Sequence, residues 1–258
     1  MALLNKLKGL SLFSGIGGIE KALENWVETV HYCEINPYCV RLLKNKMDSQ
    51  ELSFGKIWKD VRDITINEIG HVNIITAGFP CQDISIAGLG KGLEGEQSGL
   101  FFEVLRLAEE IKPEFIFLEN VPAITTRGGL RVVKEIATLG YDCRWCVISA
   151  SSVGALHRRE RWFLLGKRNE DVHCNPVNVS SLQTDSTINT ELHSKKTRTD
   201  NSHEHWPFKS RADWQKTVST ISRSFDGVPD WLDRVQALGN SVVPAQARQA
   251  FKILVGLD

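Results

Sequence analysis

Leu7 to Phe13 is an apolar-rich run that empties into Ser14-Gly15-Ile16-Gly17-Gly18. Beyond it Ile19, Ala22, Leu23 and Trp26 recur at helical spacing. A strand, a glycine-rich turn and a helix in that order predict the opening unit of a parallel α/β sheet. There, glycines let the backbone approach a ligand at the helix N-terminus. The third spaced glycine of the dinucleotide fingerprint is missing, and a tight structural turn accounts for the same residues.

The same punctuation recurs along the chain. A strand from Thr29 to Cys33 ends at Glu34, about 20 residues past the first glycines, a distance that suits a carboxylate binding both ribose hydroxyls. Asn36 then caps a helix that begins at Pro37. A third short strand leads to Asp60, an acceptor for an exocyclic adenine amine; Asp63 fits that pattern equally well. The apolar run Val72 to Ala77 reads as a buried strand entering Gly78-Phe79-Pro80-Cys81-Gln82. Pro80 stops the strand and fixes the backbone before Cys81, and a glycine-rich segment follows. A thiol at the carboxyl end of a strand is placed for chemistry, although a buried free cysteine is the commoner fate. A helix from Leu100 to Ile111 and a buried strand from Glu114 to Leu118 deliver Glu119 at the next strand end. Another helix, Leu130 to Leu139, precedes a strand from Tyr141 to Ala150. Cys143 and Cys146 lie three apart on that strand and so face opposite sides, which makes a metal or redox pair a poor reading. Arg159 and Arg161 share one face of the next strand, suited to a carboxylate, a phosphate or a base carbonyl; a solvated basic strand edge is the plainer reading.

The chain's 258 residues suffice for one full core with a small appended lobe. No apolar run approaches the roughly 20 residues of a membrane span, and no secretory signal is visible. Six irregularly spaced cysteines suggest free thiols in a reducing compartment, hence a cytoplasmic location. The net charge of +0 does not single out nucleic acid, but binding needs only a local basic patch. From Asn169 to about Arg223 apolar periodicity vanishes, and Ser, Thr, Asn and His fill about half of residues 169–205. In its second half Trp206, Phe208 and Trp214 are interleaved with Lys195, Lys196, Arg198, Lys209 and Arg211, a mixture compatible with DNA contact. A turn at Leu238-Gly239-Asn240 leads into a closing helix from Ala245 to Leu254.

Taken in order, Phe13-Ser14-Gly15-Ile16-Gly17-Gly18, Gly78-Phe79-Pro80-Cys81-Gln82, Glu119-Asn120-Val121, His157-x-Arg159-x-Arg161 and Gly239-Asn240-Ser241-Val242-Val243-Pro244 resemble the motifs of the DNA cytosine-5 methyltransferases, of bacterial or phage type. Each motif alone is modest; the ordered set is specific. The resemblance implies a doubly wound, mostly parallel, Rossmann-like sheet that binds S-adenosylmethionine at its strand ends. Residues 1–168 would form the catalytic and cofactor-binding domain, 169–223 a short target-recognition insert, and 224–258 a segment completing the catalytic domain. Phe13, Gly15, Gly17, Glu34, Asp60, Pro80, Leu100 and Asn240 would hold the cofactor. Cys81 would be the nucleophile, with Glu119, Arg159 and Arg161 on the target base, and Gln82 and Ser85 on the substrate. No metal is implied.

The implied partner is double-stranded DNA, the implied product S-adenosylhomocysteine, and the protein a monomer. Its setting would be either a restriction–modification system, with an endonuclease that it does not touch, or a protective orphan or phage role. The cytosine would flip out of the duplex, and residues Ser85 to Gly99 would close over it. Two positions depart from the family pattern: His157 stands where Gln is frequent, and Gln97 where a basic residue is. An RNA substrate, a non-catalytic nucleic-acid-binding relative and a nicotinamide oxidoreductase are the competing readings.

Overall fold

The computed structural model describes residues 6–80, 99–169, 237 and 241–257. In chain order the strands are β1 (Leu7–Leu12), β2 (Val27–Cys33), β3 (Lys56–Trp58), β4 (Ile74–Gly78), β5 (Phe115–Asn120), β6 (Tyr141–Ser149) and β7 (Glu160–Arg168). The helices are α1 (Gly18–Leu23), α2 (Pro37–Asp48), α3 (Ile66–Ile69), α4 (Gly99–Ile111), α5 (Ile124–Arg127), α6 (Gly129–Thr138) and α7 (Pro244–Val255). The strands form one sheet in the order β3-β2-β1-β4-β5-β7-β6. All pairings from β3 to β5 are parallel, whereas β7 runs antiparallel to both β5 and β6. The sheet is therefore mostly parallel and doubly wound, as expected, with its switch point between β1 and β4.

Strand residues alternate between two hydrophobic layers. Leu10, Leu12, Ile75, Ile116, Leu118 and Leu164 pack on one face with α4 and α6, through Val104, Leu107, Val132 and Ile136. Ile74, Phe117, Phe163 and Leu165 pack on the other with α1 and α7, through Ala22, Leu23, Ala250 and Phe251. Burial on both faces is why the central strands read as continuous apolar runs. Cys143 packs against the first layer and Cys146 within the second, the opposite-face placement that strand geometry predicts. Burial pushes both thiols up to about 12, so neither is a thiolate at neutral pH.

Two expectations are corrected. Glu119 lies inside β5 rather than past its end, because antiparallel pairing of Glu119 with Phe163 and Asn120 with Trp162 prolongs the strand. Arg159 immediately precedes β7, which starts at Glu160. The insert, 169–223, lies outside the described residues apart from Asn169, and so do Cys81, Gln82, Ser85, Gln97 and Asn240. Among the described residues no helix is long and apolar enough to cross a membrane.

Candidate active site

The carboxyl ends of β1 to β5 surround a cavity of about 430 Å³ at the switch point, the place where open α/β sheets bind ligands. At the end of β1 the chain turns sharply. Phe13 takes a left-handed conformation, φ 55°, and Gly15 another, also φ 55°. Ser14 is fixed by its N–H to the Cys33 carbonyl at 3.0 Å and by its hydroxyl to Ser11 Oγ at 2.9 Å. A Cβ on Gly15 would meet nothing within 4 Å, so the turn opens onto free space.

Glu34 is the hinge of this end of the cavity. One carboxylate oxygen accepts the Gly15 N–H at 2.7 Å, and the other accepts the Asn36 N–H at 2.8 Å. Asn36 in turn caps α2, its Oδ1 accepting the Tyr38 N–H at 2.8 Å. The carboxylate is thus held rigidly, and its remaining lone pairs are available to hydroxyl donors. Asp60 caps the 3₁₀ turn Val61–Asp63. Its two oxygens accept from Arg62 Nε at 2.9 Å and Nη2 at 2.6 Å. Those bonds hold its carboxyl below the usual range, so it is an acceptor at neutral pH. Asp60 lines the cavity and the exposed Asp63 does not, which separates two residues that the sequence pattern left equal.

Phe13, Pro80 and Leu100 line the same space. Gly17 does not. It sits at the N-cap of α1 with φ 84°, and a Cβ there would lie 2.5 Å from Leu52 Cδ1. Its lack of a side chain lets the turn pack closely against the segment after α2. The C-terminal segment contributes Ser241 and Val242 to the lining, next to the undescribed Asn240.

Glu119 borders the cavity from β5, where its side chain is 11% exposed, and Arg161 Nε donates to its Oε1 at 2.7 Å. Burial pushes this carboxyl up to about 7, against the pull of Arg161 and Arg159. The opposing residue on β4 is Gly78, and a Cβ there would lie 3.1 Å from Glu119 Oε2. Glycine at this position keeps room for the carboxyl. Asn120 Nδ2 donates to the Phe79 carbonyl at 3.0 Å and pins the chain just before Pro80. Arg159, whose charge also acts on Glu119, donates from its guanidinium to the Ser241 carbonyl.

Three contributors were not singled out by sequence. Ile35 follows Glu34, lines the cavity and is 71% exposed, an apolar surface for a planar ring; its place beside the acid was the one available signal. Asn120 was visible only as part of a polar pair, and its bond to Phe79 spans 41 residues. Cys33 also lines the cavity, but burial pushes its thiol up to about 12. Among the described residues no cluster of three or more His, Cys, Asp or Glu is placed to hold a metal ion.

Comparison with known proteins places this arrangement. The chain is 40% identical over 163 residues to the type II methyltransferase M.CviJI of Paramecium bursaria Chlorella virus IL3A, covering 62% of this chain and 43% of that one. It is 35% identical over 188 residues to the type II methyltransferase M.HhaI of Haemophilus parahaemolyticus, covering 70% and 53%. The chain thus spans about half the length of the curated relatives it matches. Among solved structures, the Entamoeba histolytica methyltransferase EhMeth superposes with a TM-score of 0.61 over 98% of both chains at 20% identity, which shows the shared fold. The sheet order is that of the S-adenosylmethionine-dependent methyltransferase fold. A family model described as C-5 cytosine-specific DNA methylase matches residues 7–236. With the glycine turn, the strand-end carboxylates and the buried Glu119–Arg161 pair assembled at one switch point, and that model spanning most of the sequence, the chain belongs to the C-5 cytosine-specific DNA methylase family.

Proposed function

We propose that the protein transfers a methyl group from S-adenosylmethionine to C5 of a cytosine flipped out of double-stranded DNA. The observation that carries this reading is a buried carboxyl, raised by burial to about 7 and bonded to an arginine, at the border of the cavity at the sheet's switch point. The cavity residues suit the cofactor. Glu34 has lone pairs free for ribose hydroxyls, Asp60 is an ionised acceptor for an exocyclic amine, and Ile35, Phe13 and Leu100 offer apolar surface. Bound there, the cofactor supplies an electrophilic sulfonium methyl group.

The chain's own residues then prepare the base. Cytosine C5 is a poor nucleophile while the ring is aromatic. Cys81, outside the described residues, adds as thiolate to C6 and moves electron density towards C5. A free cysteine has a pKa of about 8.5, so a nearby cation favours the reactive form. Glu119 neutralises charge building at N3, because a carboxyl near pKa 7 holds a proton for much of the time at physiological pH. Arg161, bonded to Glu119, locks the carboxyl and meets the base carbonyl, and Arg159 holds the base from its other side. Loss of the C5 proton afterwards expels Cys81. The ring is out of reach inside a duplex, so the target must leave the stack. Residues 169–223 are proposed to read the target sequence, and the protein to act as a cytoplasmic monomer, alongside a restriction endonuclease or alone.

Incubating the protein with methyl-labelled S-adenosylmethionine and mixed-sequence duplex DNA, with tRNA in parallel, tests the proposal. Label is expected on DNA cytosine and to disappear with Cys81→Ser while cofactor binding persists. A protein that binds the cofactor but labels neither nucleic acid, or labels tRNA in preference, would overturn it.

A further inference from the structure

Arg159 is held by three groups far from it in sequence or on another element. Its guanidinium donates to the Ser241 carbonyl at 2.5 Å, across 82 residues. Its own carbonyl accepts the Ala150 N–H at 3.0 Å. That carbonyl also accepts from the side-chain amide of Gln246 on α7. The second hydrogen of the same amide nitrogen reaches the Ile148 carbonyl on β6, at 2.9 Å. Gln246 therefore spans the gap where β6 ends and β7 is about to begin, and Arg159 stands at that gap.

Gln246 is 0% exposed, and its helix neighbours Ala247, Ala250 and Phe251 belong to the apolar layer against the sheet. An apolar side chain would fill such a position. Its Oε1 has no hydrogen-bond partner among the described residues, and an orphaned buried acceptor is unfavourable. A glutamine kept under that penalty is kept for its two donors, and both donors are spent on the backbone that presents Arg159.

We propose that Gln246 is a positioning residue for methyl transfer: from the C-terminal helix it fixes the backbone of Arg159, and so the placement of that guanidinium beside Glu119. Ser241 lies five residues earlier, accepts from the same arginine and lines the cofactor cavity. One short C-terminal stretch thus ties the cavity wall to the arginine on the base side. This inference rests on the methyl-transfer reading and adds a residue to it.

The full chain is assayed in single-turnover methyl transfer to duplex DNA, with S-adenosylmethionine affinity and thermal midpoint measured on the same samples. Gln246→Met keeps the side chain's reach but has no donor. It is expected to slow transfer about tenfold or more, since small misplacements of a positioning group cost up to about a hundredfold. Cofactor affinity should stay within about twofold, because the missing bonds are made to Arg159 and Ile148 rather than to the ligand. In an Arg159→Lys background the same change should slow transfer by less than about twofold, as expected when one residue acts through the other. Gln246→Leu repeats the series with a different shape, so that a packing fault peculiar to Met is recognised. An unchanged rate, an equal loss in both backgrounds, or a loss of rate that only follows lost cofactor binding and a lowered midpoint overturns the inference. If the wild-type protein transfers no methyl group, the parent reading falls and this one with it. If it does and both variants match it, this one falls alone.

Discussion

Glu119 concentrates the chemistry of the site in one side chain. Burial raises its carboxyl to about 7 while Arg161 holds one oxygen. The folded-state value lies above the unfolded one, so the stabilising contribution is complete below about 4.5 and is lost as pH rises through about 7. Denaturant unfolding at pH 5 and pH 8 should therefore show wild-type stability falling between the two, with a smaller fall in Glu119→Gln. The same variant should lower methyl transfer by about 10²- to 10⁴-fold, the usual worth of a positioned acid. It should also remove the ionisation near neutrality from the rate profile. Gly78→Ala probes the space around that carboxyl. A Cβ 3.1 Å from Glu119 Oε2 must displace it, so transfer should drop while cofactor affinity, measured by titration, changes little. The acid, the arginines and Gly78 were all legible as residue types in motifs. That Gly78 faces Glu119 was not, because the two are 41 residues apart and meet only through the register of β4 against β5.

At the scale of elements, periodicity located most strands and helices, and the differences sit at their ends. β5 runs on through Glu119 and Asn120 because its antiparallel partner β7 continues the ladder. No local signal in Phe115–Asn120 reports a partner that lies some forty residues later. The closing helix was visible in its apolar spacing, but its seat was not. Phe251, buried on α7, meets Phe117 edge-on at 5.5 Å and Trp26 at 5.5 Å, and so joins β5 and the turn between α1 and β2 to the C-terminal segment. Phe251→Ala should cost about 3–5 kcal/mol in equilibrium unfolding, the range for deleting a buried aromatic. Asn36→Ala removes the α2 cap and should cost about 1 kcal/mol, with cofactor binding little changed, because the backbone N–H of residue 36 that holds Glu34 survives the substitution.

For the whole molecule, the cavity belongs to five strand ends and the C-terminal segment together. A ligand that binds only this assembled form should stabilise it globally. S-adenosylmethionine at about a hundred times its Kd is expected to add about 2.7 kcal/mol to unfolding. Glu34→Ala should abolish most of that gain at the same concentration, read as a smaller shift in thermal midpoint. A shift that survives the substitution would move the ribose elsewhere.

Apolar alternation, glycine turns and the polar residues that close each strand determined the α/β class, the strand ends as the site and the family resemblance, since each depends only on neighbours along the chain. Tertiary structure alone decided the rest. It put Asp60 but not Asp63 on the cavity wall, packed Gly17 against Leu52, and set Gly78 against Glu119. It also brought Gln246 to the backbone of Arg159. These outcomes depend on which strands pair and which helix covers them, and no local pattern encodes the distance between groups that only the closed core brings together.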